Sequence, residues 1–242
     1  MSRVVVVTGG ASGIGLGIVR RFAAAGDQVA CLDLQPEAVA RAAEELGVLG
    51  LVVDVGDRAA VDAAYTTIRE QLGPIGIVIT SAGIDAAGPF TEITQDAWDR
   101  AIRVNLTGTF NCVQAGVADM IAAGWGRIVT ISSSSAQSGA PDRAHYVASK
   151  GGVIALTKSL AVDLSPLGIT ANTIPPSIVD TPMSQAGVVS GVIPEMDVLK
   201  DFIPIRRVST PDDIAAACVF LCSDDASSIT GQIIGVNGGM YM

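Results

Sequence analysis

The run RVVVVTGGASGIG, residues 3–15, decides the fold. Its four consecutive valines leave a strand no polar face, which is the pattern of a parallel strand covered on both sides. Residues 3–8 therefore read as a buried strand, and residues 13–25 (GIGLGIVRRFAAA) as a helix that Gly26 ends. The turn between them, TGGASGIG (8–15), carries Gly9, Gly13 and Gly15. Such glycines permit a tight turn, close backbone approach to a ligand and close helix–sheet contact. The helix behind them offers free N–H groups and a positive dipole end to a pyrophosphate. Strand, glycine turn and helix in that order form the context a dinucleotide site requires.

Outward from this unit, strand-like and helix-like segments alternate. QVACLD (28–33) reads as a strand, 36–46 as a helix, LVVDV (51–55) as a strand and 57–72 as a helix stopped by Gly73-Pro74. IGIVIT (75–80), RIVTIS (127–132), TANTI (170–174) and GQIIGVNGG (231–239) read as further strands, the last with its turn. Long helices are expected over 95–123 and 145–165, and a shorter one over 211–223. The alternation implies an α/β, doubly wound, mainly parallel sheet with helices on both faces. No linker or charge block divides the chain, so residues 1–242 read as a single domain. The stretch 183–207 is irregular and follows a strand end; it is a candidate substrate lid or, alternatively, a surface helix pair. Its Val188, Val189, Val192, Ile193, Met196 and Phe202 suggest a hydrophobic or alicyclic substrate.

Composition narrows the function. Hydrophobic residues make up 49% and aromatics only 4%, so the apolar mass is Ala, Val, Ile and Leu, as a β-branched sheet under Ala-rich helices needs. A net charge of −9 opposes a nucleic-acid partner, whose phosphates would be repelled. Cys31, Cys112, Cys218 and Cys222 show no ligand spacing, and with one histidine no metal site is expected; reduced core thiols are. No apolar run reaches the ~18 residues of a membrane span. The first strand begins almost at once, so a cytoplasmic protein without membrane partners is expected.

Asp33 ends the second strand, 18 residues after Gly15. A carboxylate there accepts both adenosine ribose hydroxyls and repels the extra phosphate of NADP. Position 12 is Ser, and no Lys or Arg stands in the turn or just after Asp33 and Leu34. NAD is therefore the expected cofactor. Asp54, in VVDV, can accept from adenine or cap the next helix.

A second stretch, AHYVASKGG (144–152), puts Tyr146 and Lys150 on one helix face at i, i+4. Taken with TGGASGIG, Asp54-Val55, SAG (81–83), NLTG (105–108), ISS (131–133), NTIPPSIVDTPM (172–183) and ITGQIIGVNGG (229–239), it resembles the classical short-chain dehydrogenases/reductases from Val4 to the C-terminus. The resemblance implies strand order 3-2-1-4-5-6-7 and an NAD-dependent oxidoreductase that interconverts a secondary alcohol and a ketone. A 3-oxoacyl thioester reductase is the alternative, and a non-catalytic NAD-binding regulator a more distant one. It also implies a homotetramer formed through the helices at 95–123 and 145–165 and the C-terminal segment.

The resemblance assigns Tyr146 as acid/base, Lys150 as its partner, Ser133 as ligand of the substrate carbonyl and Asn105 as part of a proton relay. It places the cofactor on Gly9, Ser12, Gly13, Ile14, Gly15, Asp33, Leu34, Asp54, Val55, Ser81, Ala82, Gly83, Tyr146, Lys150, Pro176, Val179 and Thr181. Substrate falls to Ser133, Ser135, Tyr146 and Asp85; Asp85 can equally be a solvated turn residue. Ser81 and Ser177 depart from the family's usual Asn and Gly.

Physical chemistry supports these roles. A free phenol has a pKa of ~10, and a nearby ammonium and the positive nicotinamide of NAD⁺ should lower it. Ser133 lies 13 residues before Tyr146, so the intervening loop can return both hydroxyls to one carbonyl and stabilise developing alkoxide. Ser132, Ser134 and Ser135 are rival hydroxyls that spacing alone sets aside. Asn105 is a poor helix former mid-helix; its amide can distort the helix and hold a relay water. His145 adjoins Tyr146, but consecutive helix residues point about 100° apart, which sets it outside the catalytic group.

Overall fold

The computed structural model describes residues 3–189, 191 and 194–242. Its centre is β1 (Val4–Thr8), whose residues are all buried. Around it stand β2 (Gln28–Asp33), β3 (Leu49–Val52), β4 (Ile75–Thr80), β5 (Gly126–Ile131) and β6 (Ile169–Ile174). All pairings are parallel, and the order is β3-β2-β1-β4-β5-β6.

Helices cover both faces because alternate strand residues point opposite ways. Val5 and Val7 face α1 (Gly13–Ala24) and α10 (Pro211–Leu221), meeting Ile18, Phe22 and Ile214. Val4 and Val6 face α3 (Arg58–Gln71), α5 (Gly108–Ala123) and α7 (Ala144–Leu164), meeting Tyr65, Ile68, Met120 and Leu164. Fully burying a side chain such as Phe22 or Ile68 contributes about 1.5–3 kcal/mol, so these two layers carry most of the stability. All four cysteines are buried and free. Burial pushes the Cys31, Cys112 and Cys222 thiols up to about 12, which makes them inert packing groups.

Most boundaries match expectation. Helix α2 spans Pro36–Leu46, as expected, with Pro near its start. Helix α3 begins where Asp57, not Asp54, accepts from the Ala59 and Ala60 N–H groups. The strand expected at 51–55 pairs only over Leu49–Val52.

Two differences matter more. The helix expected over 95–123 is interrupted: α4 (Gln95–Ile102) passes through a π-turn at Arg103–Thr107 into α5, with Gly108 N–H donating to the Arg103 carbonyl. The distortion falls on Asn105, as its poor helix propensity anticipated.

The seventh strand does not form among the described residues. The 231–239 segment lies beside β6 but makes only an isolated bridge, Thr173 to Ile233. Three backbone hydrogen bonds join it to β6, from Gly231 N–H to the Ala171 carbonyl, Thr173 N–H to the Gln232 carbonyl and Ile234 N–H to the Thr173 carbonyl. Side chains supplement them: Ala171 N–H donates to Thr230 Oγ1, and the Asn172 amide binds the Ile229 carbonyl and the Gln232 N–H. Among the described residues no helix is long and apolar enough to cross a membrane.

The order places the functional edge. The chain winds outward from β1 to β3, then returns to begin β4 on the other side of β1. Thr8 and Thr80 therefore end neighbouring strands, and a crevice opens beyond them at the switch point.

Candidate active site

A cleft of about 1430 Å³ opens at that edge. It exceeds the roughly 300–1,000 Å³ of a single small-ligand pocket, so it has room for a dinucleotide and a second ligand. Outside the lid, every residue expected to touch cofactor or substrate lines it; Asn105 sits behind the wall, fully buried.

At one end the glycine turn forms a cradle that side chains would fill. Gly9 has φ of 64°, and a Cβ there would lie 2.8 Å from the Ala82 Cα. A Cβ on Gly15 would collide with the Gly9 carbonyl. Ser12 precedes α1 in an extended conformation and makes no capping hydrogen bond, and the first turn carries no acid. The leading N–H groups of α1 are thus left for an anion, and the cradle fits the pyrophosphate of a nicotinamide dinucleotide.

Asp33 borders the same end. It accepts from the Ala11 N–H (3.1 Å), the Leu34 N–H (2.7 Å) and the Gln35 N–H (3.3 Å). Three backbone donors fix the carboxylate and leave it lining the cleft. Asp54 accepts from the Gly56 N–H and from Arg103 Nη1 at 2.9 Å. Sequence reasoning overlooked Arg20 and Arg41, which also line this end; Arg20 pairs with Glu45 at 3.0 Å. Both lie on helices beyond the glycine turn and Asp33, where only three-dimensional proximity reveals them.

At the other end stand the hydroxyls. Ser133 Oγ lies 2.8 Å from Ser135 Oγ and close enough to the Tyr146 phenol to lower its pKa. Ser132 is instead tied into the sheet by Thr173 Oγ1, and the Ser134 N–H donates to the Pro176 carbonyl. All four serines line the cleft, and Ser133 and Ser135 pair there.

The expected lowering of the Tyr146 pKa is not what the protein alone produces. Burial pushes the phenol up, the Ser133 hydrogen bond pulls it down, Asp85 raises it and Arg143 lowers it; the net is upward. Lys150 is not among the groups that set this shift. Burial pushes its ammonium down to about 8, and its Nζ donates to the Ile131 carbonyl at 2.9 Å. Gly83 closes this corner: a Cβ there would lie 3.2 Å from Asn105 Oδ1 and 3.3 Å from Lys150 Nζ.

Asn105 also differs from expectation. Both amide donors are engaged, with the Ile84 carbonyl (3.1 Å) and Ser149 Oγ (3.0 Å), while Oδ1 accepts from the Ile84 N–H (2.9 Å). The amide clamps the loop after β4 to α7 rather than holding a water through its N–H groups.

The 176–181 loop lines the cleft between the two ends. The Ser177 hydroxyl donates to the Asn237 carbonyl, anchoring the loop where the family has glycine. The Val179 carbonyl accepts from Ser184 Oγ (2.7 Å), which also receives the Thr181 N–H (3.0 Å). Ser184 went unremarked in the sequence, although a hydroxyl three residues past Thr181 at a helix start has the spacing of a cap.

Helices α8 (Pro182–Val189) and α9 (Met196–Leu199) occupy the expected lid. Its apolar residues do not form a pocket wall as expected. Met183, Ser184 and Pro194 line the cleft; Val188, Val189, Met196 and Phe202 do not, and Val189 and Phe202 are exposed. The buried anchors Leu199 and Ile203 hold the segment to the body instead. Val192 and Ile193 lie outside the described residues.

Asp85 faces the cleft and pairs with Arg143 at 2.8 Å. His145 is buried outside the cleft lining, and its Nδ1 has no partner among the described residues.

Known proteins resemble this chain in sequence and fold. A family model described as enoyl-(acyl carrier protein) reductase matches residues 9–241. The 3-oxoacyl-[acyl-carrier-protein] reductase MabA of Mycobacterium tuberculosis is 38% identical, over 100% of this chain and 94% of that protein. Acetoacetyl-CoA reductase of Rhizobium meliloti is 39% identical, over 100% and 99%. The crystal structure of actinorhodin polyketide ketoreductase with NADPH superposes with a TM-score of 0.95 at 32% identity, over 99% of this chain and 97% of that one.

Proposed function

This chain belongs to the classical short-chain dehydrogenase/reductase family, and on that premise we propose that it interconverts 3-oxoacyl and 3-hydroxyacyl thioesters with NAD(H). One observation carries the reading: a single cleft joins an uncapped glycine turn to the Ser133–Tyr146 hydroxyl pair, with Lys150 behind it. A 3-hydroxyacyl thioester is a secondary alcohol, so the reading narrows the broader expectation. Two relatives named for 3-oxoacyl and acetoacetyl thioesters support that narrowing. A hydrophobic or alicyclic alcohol loses ground because the exposed Val189 and Phe202 do not line the cleft.

Asp33 supports NAD(H), since its fixed carboxylate borders the expected ribose end. A nicotinamide held on these residues would supply the hydride for C3 of the substrate, or accept it in the oxidative direction. In the reductive direction Tyr146 donates its proton to the C3 oxygen, and its raised pKa keeps that proton available at neutral pH. Ser133, oriented by Ser135, donates a hydrogen bond to the same oxygen and stabilises the charge that develops there. Lys150, near 8, can return a proton toward Tyr146. Exposed Phe110, Ile121 and Val162 on α5 and α7 give a homotetramer apolar surface to bury.

The experiment compares NADH with NADPH in acetoacetyl-CoA reduction by wild type and Asp33→Ala. Wild type should favour NADH, and the variant should lose about tenfold of that preference, the weight of roughly one charged hydrogen bond. A wild type that prefers NADPH would overturn the cofactor assignment. Turnover of simple alcohols with none of thioesters would overturn the substrate assignment.

A further inference from the structure

Two loops meet over the catalytic end of the cleft. One follows β4 through Asp85 to Gly88; the other leads from Gly139 into α7. The Gly88 N–H donates to the Asp142 carbonyl at 2.7 Å, and Arg143 Nη1 donates to Asp85 Oδ1 at 2.8 Å. Asp142 has φ of 54°, a left-handed conformation that Asp tolerates better than most residues. That turn brings Arg143 back over the site, with its guanidinium carbon 6.0 Å from the centre of the Tyr146 ring.

Both charged side chains are mostly covered, at 28% exposed for Asp85 and 20% for Arg143, and both line the cleft. Arg143 carries five N–H donors, and among the described residues its one hydrogen bond goes to Asp85. The proton and hydride steps use neither residue.

We infer that Arg143 binds the C1 thioester carbonyl of the substrate, and that Asp85 makes the site reject the free 3-oxo acid. This rests on the thioester reading. With the C3 oxygen on Tyr146 and Ser133, a C1 carbonyl two bonds along the chain falls within a few ångströms of the phenol, the distance at which the guanidinium stands.

Charge decides which acceptor fits. The Asp85–Arg143 pair is already neutral, so a neutral carbonyl can take a spare guanidinium N–H without disturbing it. A carboxylate would set two anions on one cation in a partly desolvated corner, where like charges repel. Selectivity then comes from repulsion of the wrong substrate as much as from attraction of the right one. A lone ketone has no second carbonyl and gains nothing from Arg143.

Three substrates separate these contributions: acetoacetyl N-acetylcysteamine as a neutral thioester, the acetoacetate anion and 2-pentanone. Arg143→Met should lower kcat/KM for the thioester about tenfold or more, mainly through KM, the scale of a lost hydrogen bond to a charged group. The loss on 2-pentanone should be several-fold smaller, and Arg143→Lys should recover part of the thioester loss. Asp85→Asn should raise the acetoacetate-to-thioester ratio of kcat/KM about tenfold, the cost of one close like charge. A general effect of either change on Tyr146 cancels from that ratio. Equal losses on thioester and ketone in Arg143→Met, or an unchanged ratio in Asp85→Asn, would overturn the assignment. If wild type reduces 2-pentanone but no thioester, the proposed function falls as well; if it reduces the thioester and the variants show no selectivity, only the role of Arg143 and Asp85 falls.

Discussion

Tyr146→Phe should lower kcat about 10²–10⁴-fold, the usual weight of one positioned acid–base group. NADH should still bind. The substitution removes one oxygen and keeps the ring over which Arg143 sits. Ser133 retains Ser135 at 2.8 Å, so the hydroxyl that remains is still oriented. The glycine turn and Asp33 are untouched. The loss should therefore appear in the reacting step, read by steady-state turnover, and not in a fluorescence titration with NADH. A variant within a few-fold of the wild-type rate would remove Tyr146 from the mechanism.

Lys150→Met should also abolish most turnover, and it carries a thermodynamic signature that does not depend on substrate. The ordinary value of the lysine is 10.5, and burial lowers it to about 8 in the cofactor-free fold. Between those values the unfolded chain holds a proton that the folded chain releases, so stability rises with pH across this window. The penalty for burying the ammonium is complete below about pH 8 and gone above about 10.5. Over the whole interval it amounts to about 3 kcal/mol, at roughly 1.4 kcal/mol per tenfold.

Methionine cannot titrate. Urea unfolding at about pH 7 and about pH 10 should therefore show the wild-type-minus-variant difference moving toward wild type at the higher pH. Other titrations are common to both chains and cancel. A difference that stays constant would mean that Lys150 keeps an ordinary pKa in the fold.

Much of this architecture is legible in the chain because each signal is local. Val4–Val7 can only be a strand covered on both faces, and the glycines after it only a tight turn into a helix. Tyr146 and Lys150 declare themselves through helical spacing, and Ser133 through its place at a strand end. Even the break in the long central helix was foreshadowed by Asn105.

Long-range pairings escaped. Asp85 and Arg143 are 58 residues apart, and neither has a neighbour in sequence that announces the other. Arg20 and Arg41 reach the Asp33 end only because α1 and α2 lie side by side at that edge. The upward shift that the protein alone gives Tyr146 also escapes the sequence, because its leading cause is burial. The seventh strand differs for a related reason: hydropathy shows Ile233 and Ile234, but not that backbone pairing with β6 is confined to Gly231, Gln232 and Ile234. The lid misled because apolar residues in an irregular segment can face solvent as readily as a pocket.

The central claim is that Tyr146 and Ser133 hold a C3 carbonyl where a dinucleotide anchored on the glycine turn would present its hydride. It is tested most directly by supplying acetoacetyl-CoA with NADH deuterated at the transferable position of the nicotinamide, then locating the label by mass spectrometry. The account predicts 3-hydroxybutyryl-CoA with deuterium on C3, formed by wild type and not by Tyr146→Phe. Product lacking the label, or label transfer that persists undiminished in Tyr146→Phe, would contradict it.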